Sequence, residues 1–146
     1  MPYPEYLVAP MRQELIDLGV TELRTPEAVD AAVAQPGTTL VIVNSVCGCA
    51  AGKARPGLAL SLRGPNRPDR LVSVFAGFDV DATDRARKHF AGVPPSSPSI
   101  GLMRDGKLVA MLQRSDIENR DALMIANALG SAYAEFCAPA TVTPQA

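Results

Sequence analysis

The apolar positions of this chain fall into helical and extended patterns that alternate along its length. Leu7, Met11, Leu15 and Leu18 recur at helical spacing before Gly19, and this spacing predicts a first amphipathic helix that ends at the glycine. Because such a helix has one apolar face, we expect it to pack against the rest of the chain.

A second helix and a buried strand are predicted next. Thr25 and Pro26 are typical of a helix N-terminus, and Pro36-Gly37 ends that helix. The unbroken apolar run Leu40–Val43 is rich in β-branched residues and predicts a strand buried on both faces, as in a parallel sheet. The later predicted elements, in chain order, are a helix from about Ala50 to Leu62 that Pro56 kinks or simply breaks, a strand at Leu71–Phe75, a helix from Asp79 or Asp81 to Phe90, strands at Ile100–Met103 and Leu108–Leu112, and a last helix. This last helix starts either at a capping box at Ser115–Glu118 or a few residues later because of Asn119, and its buried face is Ile125, Leu129, Ala132 and Phe136.

The order of these elements predicts an α/β fold. Strands that alternate with helices and end in a hairpin at Asp105-Gly106 give a mixed central β-sheet flanked by helices on both faces, with an extra N-terminal helix. We expect residues 1–137 to form a single domain, since a chain of this length can bury a substantial core. Residues 138–146 are rich in Pro, Ala and Thr and are expected to be a disordered tail.

Composition narrows the classes of partner. The formal net charge is -1, with 14 basic and 15 acidic residues mixed along the chain, so no charged field favours nucleic acid or a membrane surface. No apolar run approaches membrane-spanning length, and the chain opens without a secretory signal. Three cysteines in such a chain suggest a reducing compartment, and we expect a cytoplasmic protein.

The candidate chemistry lies where the buried strand gives way to a helix. Cys47 and Cys49 follow the strand directly, and good helix formers come after them. Unpaired N–H groups and the positive end of the helix dipole stabilise a thiolate at a helix N-terminus, which lowers its pKa. Lys53 and Arg55 are candidates to add to this effect.

The spacing of the two cysteines has its own consequence. A disulfide between them requires the chain to turn, and Gly48 makes such a turn accessible. We expect a strained and readily reduced disulfide, with Cys47 as the exposed attacking thiol and Cys49 as the resolving thiol. Two other interpretations stay open: a metal or cluster ligand pair, and cysteines without a chemical role.

Several stretches resemble one family of small bacterial proteins, the bacilliredoxins. They are Val43–Pro56 with its Cys-Gly-Cys motif, Arg67–Gly77, Pro94–Ser99 and Ile117–Ala122, in the same order along nearly the whole chain. The resemblance implies a thioredoxin-like fold. In that fold a cis proline faces the reactive thiol and the residue before it offers backbone groups to substrate; Pro98 and Ser97 match these places.

The resemblance also implies an activity. Bacilliredoxins exchange thiols with S-bacillithiolated client proteins, so Cys47 would leave the client reduced and retain bacillithiol, a low-molecular-weight co-substrate, as a mixed disulfide. No bound cofactor or metal is expected. Cys137 matches a cysteine that often ends chains of the family, and we interpret it as accessory or idle. The sequence carries no signal for or against a homodimer.

Three alternatives to this activity remain at the level of sequence. A general disulfide isomerase or oxidant would use the same two cysteines at a higher reduction potential. A metal or iron-sulfur carrier would bind through Cys47 and Cys49, with Cys137 or His89 as further ligands. A non-enzymatic interaction module would tolerate replacement of both thiols.

Overall fold

The strand Thr38–Asn44, β2, lies at the centre of a five-stranded sheet in the computed structural model, which describes residues 3–137. All seven residues of β2 are buried, as the apolar run predicts. The other elements, in chain order, are α1 (Glu5–Ile16), β1 (Thr21–Glu22), α2 (Pro26–Val33), a π-helical turn (Ala50–Ala54) that leads into α3 (Arg55–Ser61), β3 (Arg70–Phe75), α4 (Val80–His89), β4 (Ser99–Arg104), β5 (Lys107–Leu112), α5 (Arg114–Glu118) and α6 (Ala122–Phe136).

The sheet is mixed, with strand order β1-β3-β2-β4-β5. The first three strands in this order run parallel, and β4 and β5 run antiparallel to their neighbours. The hairpin predicted at Asp105-Gly106 joins β4 to β5, and both residues adopt positive φ, which suits this dipeptide. The short edge strand β1 is an addition, because two polar residues give no periodic signal.

Helices cover both faces of the sheet, which confirms the predicted architecture. Leu40 and Ile42 pack with α3 and α6 on one face, whereas Val41 and Val43 pack with α2 and α4 on the other. This alternation follows from the pleat of the strand, since successive side chains point to opposite faces. Because β2 and β3 run parallel as neighbours, their carboxyl ends meet at the same edge of the sheet.

The helix after the thiols differs from the single kinked helix that the sequence predicts. It starts as a π-helical turn, in which the Arg55 N–H bonds to the Ala50 carbonyl, and Pro56 lies in the first turn of the α-helix that follows. A proline cannot donate a hydrogen bond and its ring crowds the carbonyl four residues earlier. The wider π-turn relieves that crowding, so the irregularity lies in the turn just before Pro56.

The last predicted helix is divided into two. The capping box predicted at Ser115–Glu118 is wrong by two residues, because Gln113 is the N-cap and Asp116 completes the box at the start of α5. A second start follows at Asp121, whose carboxylate accepts the Met124 N–H and caps α6. Competition between two capping residues this close explains why spacing alone did not locate the break.

The first helix buries a different face from the one that the sequence predicts. Val8 and Leu15 are its buried residues, whereas Leu7 is 37% exposed.

Within residues 3–137 no helix is both long and apolar enough to cross a bilayer. The predicted tail, residues 138–146, lies outside the described residues, as do residues 1 and 2 of the predicted domain.

Candidate active site

Cys47 lies just beyond the end of β2, where the chain turns into a helix. Its carbonyl accepts hydrogen bonds from Ala50 N at 2.9 Å and from Ala51 N at 3.2 Å, so it closes the first helical turn. The Cys47 N–H in turn donates to Ser45 Oγ at 3.0 Å. The backbone on both sides of the thiol is thus fixed, and the Cys49 N–H donates to the Cys47 sulfur.

The pKa of Cys47 is lowered from its ordinary value. The largest cause is the Cys49 backbone N–H, which donates to Cys47 Sγ at 3.4 Å; the Cys49 side chain and the positive charge of Arg114 act in the same direction, against partial burial. A thiolate at this position is stabilised before any substrate arrives. This is the arrangement that makes a cysteine nucleophilic near neutral pH.

The pKa of Cys49 shifts the other way. Burial raises it most, and the negative charge on Cys47 and the carboxylate of Glu118 raise it further. Cys49 packs against the core between the sheet and the helices α3 and α6. Both cysteines are free thiols and are partly accessible. The pair is therefore asymmetric, with Cys47 as the better nucleophile and Cys49 as the thiol that keeps its proton.

Gly48 is exposed, and its backbone is helical rather than left-handed. A Cβ built there would meet no atom within 4 Å. In this free-thiol structure the turn consequently does not require glycine. Any need for glycine when the two sulfurs are joined stays a prediction.

The loop before β4 brings a cis peptide bond, Ser97-Pro98, to the same edge of the sheet. Ser99 pairs with Val43 near the end of β2, so the residues just before β4 lie beside the chain that leads to Cys47. Two arginines hold this loop: Arg87 Nη2 donates to Ser96 O at 3.3 Å, and Arg114 Nη1 donates to Ser97 O at 3.2 Å. The structure thus brings the predicted substrate-binding pair and the predicted nucleophile together.

Arg114 is a site residue that the sequence analysis missed. It follows β5, and because β5 runs antiparallel to β4 its end returns to the edge where β4 begins. The guanidinium contacts the Ser97 carbonyl and lowers the Cys47 pKa by its charge. The predicted hairpin could have located it, because the residues that follow the second strand of a hairpin return to the edge where the first strand begins.

Lys53 and Arg55, the cations predicted to act on the thiols, are directed elsewhere. Lys53 Nζ donates to the carbonyl of Glu118 at 2.5 Å, which joins the π-helical turn to α5. Arg55 is only 5% exposed and pairs through Nε with the carboxylate of Glu14. Neither is among the groups that shift the Cys47 pKa.

Arg55 instead binds the segment between the end of β2 and Cys47. Its Nη1 donates to Asn44 Oδ1 at 3.0 Å and to Ser45 O at 3.1 Å. Asn44 Oδ1 also accepts the Ser45 N–H at 2.9 Å, and Asn44 Nδ2 donates to Met11 O at 3.2 Å in α1. Since buried polar groups of this kind hold one geometry when every partner is present, this network fixes the segment that carries Cys47.

The remaining candidate ligands lie far from the two thiols. Cys137 is buried next to Thr38, at the opposite end of β2, and burial raises its pKa. His89 Nε2 bonds to Asp30 Oδ1 at 2.8 Å and so links α4 to α2. Over residues 3–137, His, Cys, Asp and Glu side chains form no group of three that could hold a metal ion. The ligand set considered for a metal carrier is therefore not brought together.

Curated relatives resemble the chain over nearly all of its length. A bacilliredoxin from Koribacter versatilis is 54% identical over 136 residues, which cover 92% of this chain and 94% of the relative. A bacilliredoxin from Geobacillus kaustophilus is 53% identical over 137 residues, with 92% and 94% covered, and one from Cytophaga hutchinsonii is 52% identical over 134 residues, with 92% and 99% covered.

Solved structures support the fold. The oxidised form of mitochondrial thioredoxin 3 from Saccharomyces cerevisiae matches with a TM-score of 0.54 at 17% identity, covering 81% of this chain and 96% of that one. Oxidised thioredoxin from Plasmodium falciparum also gives 0.54, at 15% identity, covering 82% and 99%. Identities this low show the thioredoxin-like fold and leave the activity to be argued from the site.

The family model described as "Disulphide isomerase" matches residues 3–137. Together with a thioredoxin-like fold and relatives that are half identical and named bacilliredoxins, this supports a redox enzyme of the thiol-disulfide oxidoreductase class. The chain belongs to the bacilliredoxin family.

Proposed function

We propose that this protein removes bacillithiol from S-bacillithiolated client proteins in the cytoplasm, with Cys47 as the nucleophile. The observation that carries the proposal is the Cys47 thiol itself, which accepts the Cys49 N–H at the start of a helix and lies at the same sheet edge as the cis Ser97-Pro98 bond. A thiol-exchange enzyme needs a stabilised thiolate beside a loop whose backbone groups can bind an extended substrate chain.

The first step exchanges one disulfide for another. The Cys47 thiolate attacks the bacillithiol sulfur of the mixed disulfide, a new sulfur-sulfur bond forms, and the client leaves as a thiolate that takes a proton from water. Attack on the client's sulfur would instead expel bacillithiol and leave the client attached to Cys47. The productive direction therefore depends on how the mixed disulfide lies against the Cys47 sulfur.

The second step releases bacillithiol. Cys49, once deprotonated, attacks the Cys47 sulfur, expels bacillithiol as a thiolate and forms the Cys47–Cys49 disulfide. Alternatively, a second small thiol attacks the bacillithiol sulfur, forms a disulfide between the two small thiols and frees Cys47 as a thiolate. Burial is the largest cause of the raised pKa of Cys49, and the hydrogen bond and negative charge of Cys47 add to it. Formation of the mixed disulfide neutralises Cys47 and so removes the contribution of its charge. An external dithiol or pair of small thiols then reduces the disulfide and supplies the two electrons.

The test is the release of bacillithiol from a modified client by wild type, Cys47→Ser and Cys49→Ser, with intact mass recorded on each protein. We expect Cys47→Ser to be inactive, and Cys49→Ser to accumulate one bacillithiol on Cys47. If wild type releases no more bacillithiol than Cys47→Ser, the proposal fails.

A second candidate function is favoured by the description of the matching family, "Disulphide isomerase". An isomerase or oxidant would use the same thiol pair on client disulfides. The reduction potential separates the two, because a client-reducing enzyme needs a potential below that of an isomerase, which lies near -180 mV. A measured value at or above about -180 mV favours the isomerase.

A further inference from the structure

Arg114 contacts the Ser97 carbonyl and acts on Cys47 through its charge, and these contacts use only part of its guanidinium. Nη1 donates to Ser97 O at 3.2 Å and Nε lies 3.5 Å from Glu118 Oε2. The side chain is 45% exposed. Because a guanidinium carries five N–H donors, several remain available to a ligand that approaches Cys47.

The charges around this guanidinium are only partly balanced. Its carboxylate partner, Glu118, is itself 46% exposed and makes one long contact, and a surface pair of this geometry holds an arginine weakly. The neighbouring cation Lys53 bonds to a backbone carbonyl rather than to a carboxylate. Among these charged groups, Arg114 is the one whose positive charge acts on Cys47.

We propose that Arg114 binds the carboxylate of an anionic low-molecular-weight thiol and thereby determines which sulfur of a mixed disulfide faces Cys47. The inference rests on the proposed function and deepens it. With the anionic end held at Arg114, the small thiol's sulfur lies nearer to Cys47 and the client's sulfur lies away from it. Cys47 then attacks the small thiol's sulfur, and the client leaves reduced.

Arg114 also has a second effect that must be separated from binding. Its positive charge stabilises the Cys47 thiolate, and its contact with Ser97 O positions the cis-proline loop. Both effects act on every substrate alike. Recognition of a carboxylate, by contrast, acts only on small thiols that carry one.

The experiment compares three disulfides on one client protein, in a Cys49→Ser background that stops at the first exchange. The client is modified with glutathione, which is anionic, with 2-mercaptoethanol, which is neutral, or with cysteamine, which is cationic. Second-order rate constants are measured at low ionic strength, and intact mass gives the ratio of small-thiol adduct to client adduct on Cys47. The variants are Arg114→Gln, Arg114→Lys and the matched control Arg104→Gln.

Arg104 is a suitable control because it is exposed and pairs with Thr38, at the end of β2 opposite the thiols. The Arg114→Gln variant keeps the backbone contact of residue 114 with Ser96 Oγ. We expect it to slow exchange with the glutathione disulfide by an additional factor of about two to five relative to the 2-mercaptoethanol disulfide. The adduct ratio shifts towards client on Cys47, whereas Arg104→Gln changes neither quantity and Arg114→Lys retains most of the preference.

Added salt must weaken the preference of the wild type, since the contact is exposed. If Arg114→Gln slows all three disulfides by the same factor, or slows none, the binding role of Arg114 is wrong while the exchange activity stands. If Cys47 exchanges with none of the three disulfides, this inference fails, whereas the proposed function is decided separately by the release of bacillithiol by wild type and Cys47→Ser.

Discussion

The buried guanidinium of Arg55 provides the sharpest test of how the thiol loop is held. We predict that Arg55→Met lowers the free energy of unfolding by about 1–3 kcal/mol, the cost of leaving a buried acceptor without its hydrogen-bond donor. Methionine restores much of the volume but none of the donors. It leaves Ser45 O and Asn44 Oδ1 without their contacts at 3.1 and 3.0 Å.

The matched variant is Glu14→Gln, at the other end of the same guanidinium. The side chain of Glu14 is 54% exposed, whereas that of Arg55 is 6% exposed, and a glutamine oxygen can still accept from Nε. We therefore expect Glu14→Gln to cost no more than about 1 kcal/mol, as for an exposed ion pair. The difference between the two variants is the part of the stability that comes from the loop contacts.

Equilibrium unfolding in urea measures both values. Circular dichroism is the suitable probe, because the chain contains no tryptophan. If Glu14→Gln costs as much as Arg55→Met, the ion pair stabilises the protein and the contacts with the loop do not. If neither costs more than about 1 kcal/mol, the network has no strong role in stability.

Three further predictions concern the thiols and the helix packing. Alkylation of Cys47 by iodoacetamide, followed in Cys49→Ser, rises with pH through a midpoint below the ordinary 8.5 or so, whereas Cys49, followed in Cys47→Ser, has a higher midpoint because burial raises its pKa. Gly57→Ala lowers stability in urea by about 1–3 kcal/mol, since a Cβ there would lie 2.6 Å from Ile125 Cγ2. Cys137→Ala leaves the release of bacillithiol unchanged, because Cys137 is buried at the far end of β2.

Each of these has a clear contrary result. Equal alkylation midpoints for the two cysteines would remove the asymmetry on which their roles depend. A Gly57→Ala protein as stable as wild type would show that α3 and α6 can separate without cost. A bacillithiol adduct on Cys137 during turnover would make it a third redox thiol rather than a core residue.

The central part of the fold was predictable because each signal was local. An apolar run such as Leu40–Val43 can only be a buried strand or a buried helix, and its β-branched residues decide between them. The Asp-Gly turn between β4 and β5 is likewise set by its own backbone preference. The position of Cys47 at a strand-to-helix junction followed from these neighbours alone.

The cis bond before Pro98 was predictable only through the family resemblance. Few X-Pro bonds in folded proteins are cis, so the local sequence gave no reason to choose that isomer. The structure contains it at Ser97-Pro98. Whether this loop binds substrate remains a prediction.

The supports of the site could not be predicted, because they join segments that are remote in the sequence. Asn44 contacts Met11 in α1, and Arg114 contacts Ser97 across the turn that follows β5. Such pairs depend on strand register and helix placement, which a periodic pattern does not determine. A cation close to the thiols in sequence, such as Arg55, was for this reason given the role that Arg114 has in space.

The Cys49→Ser variant keeps the main local contribution to the activation of Cys47. The largest stabilisation of the Cys47 thiolate comes from the backbone N–H of residue 49, and serine supplies the same N–H group. Cys49→Ser removes the resolving thiol and the smaller contribution of its side chain, while the remote charge of Arg114 is unaffected. An adduct that accumulates on Cys47 in this variant therefore reports the first exchange of a nucleophile that keeps its main source of activation.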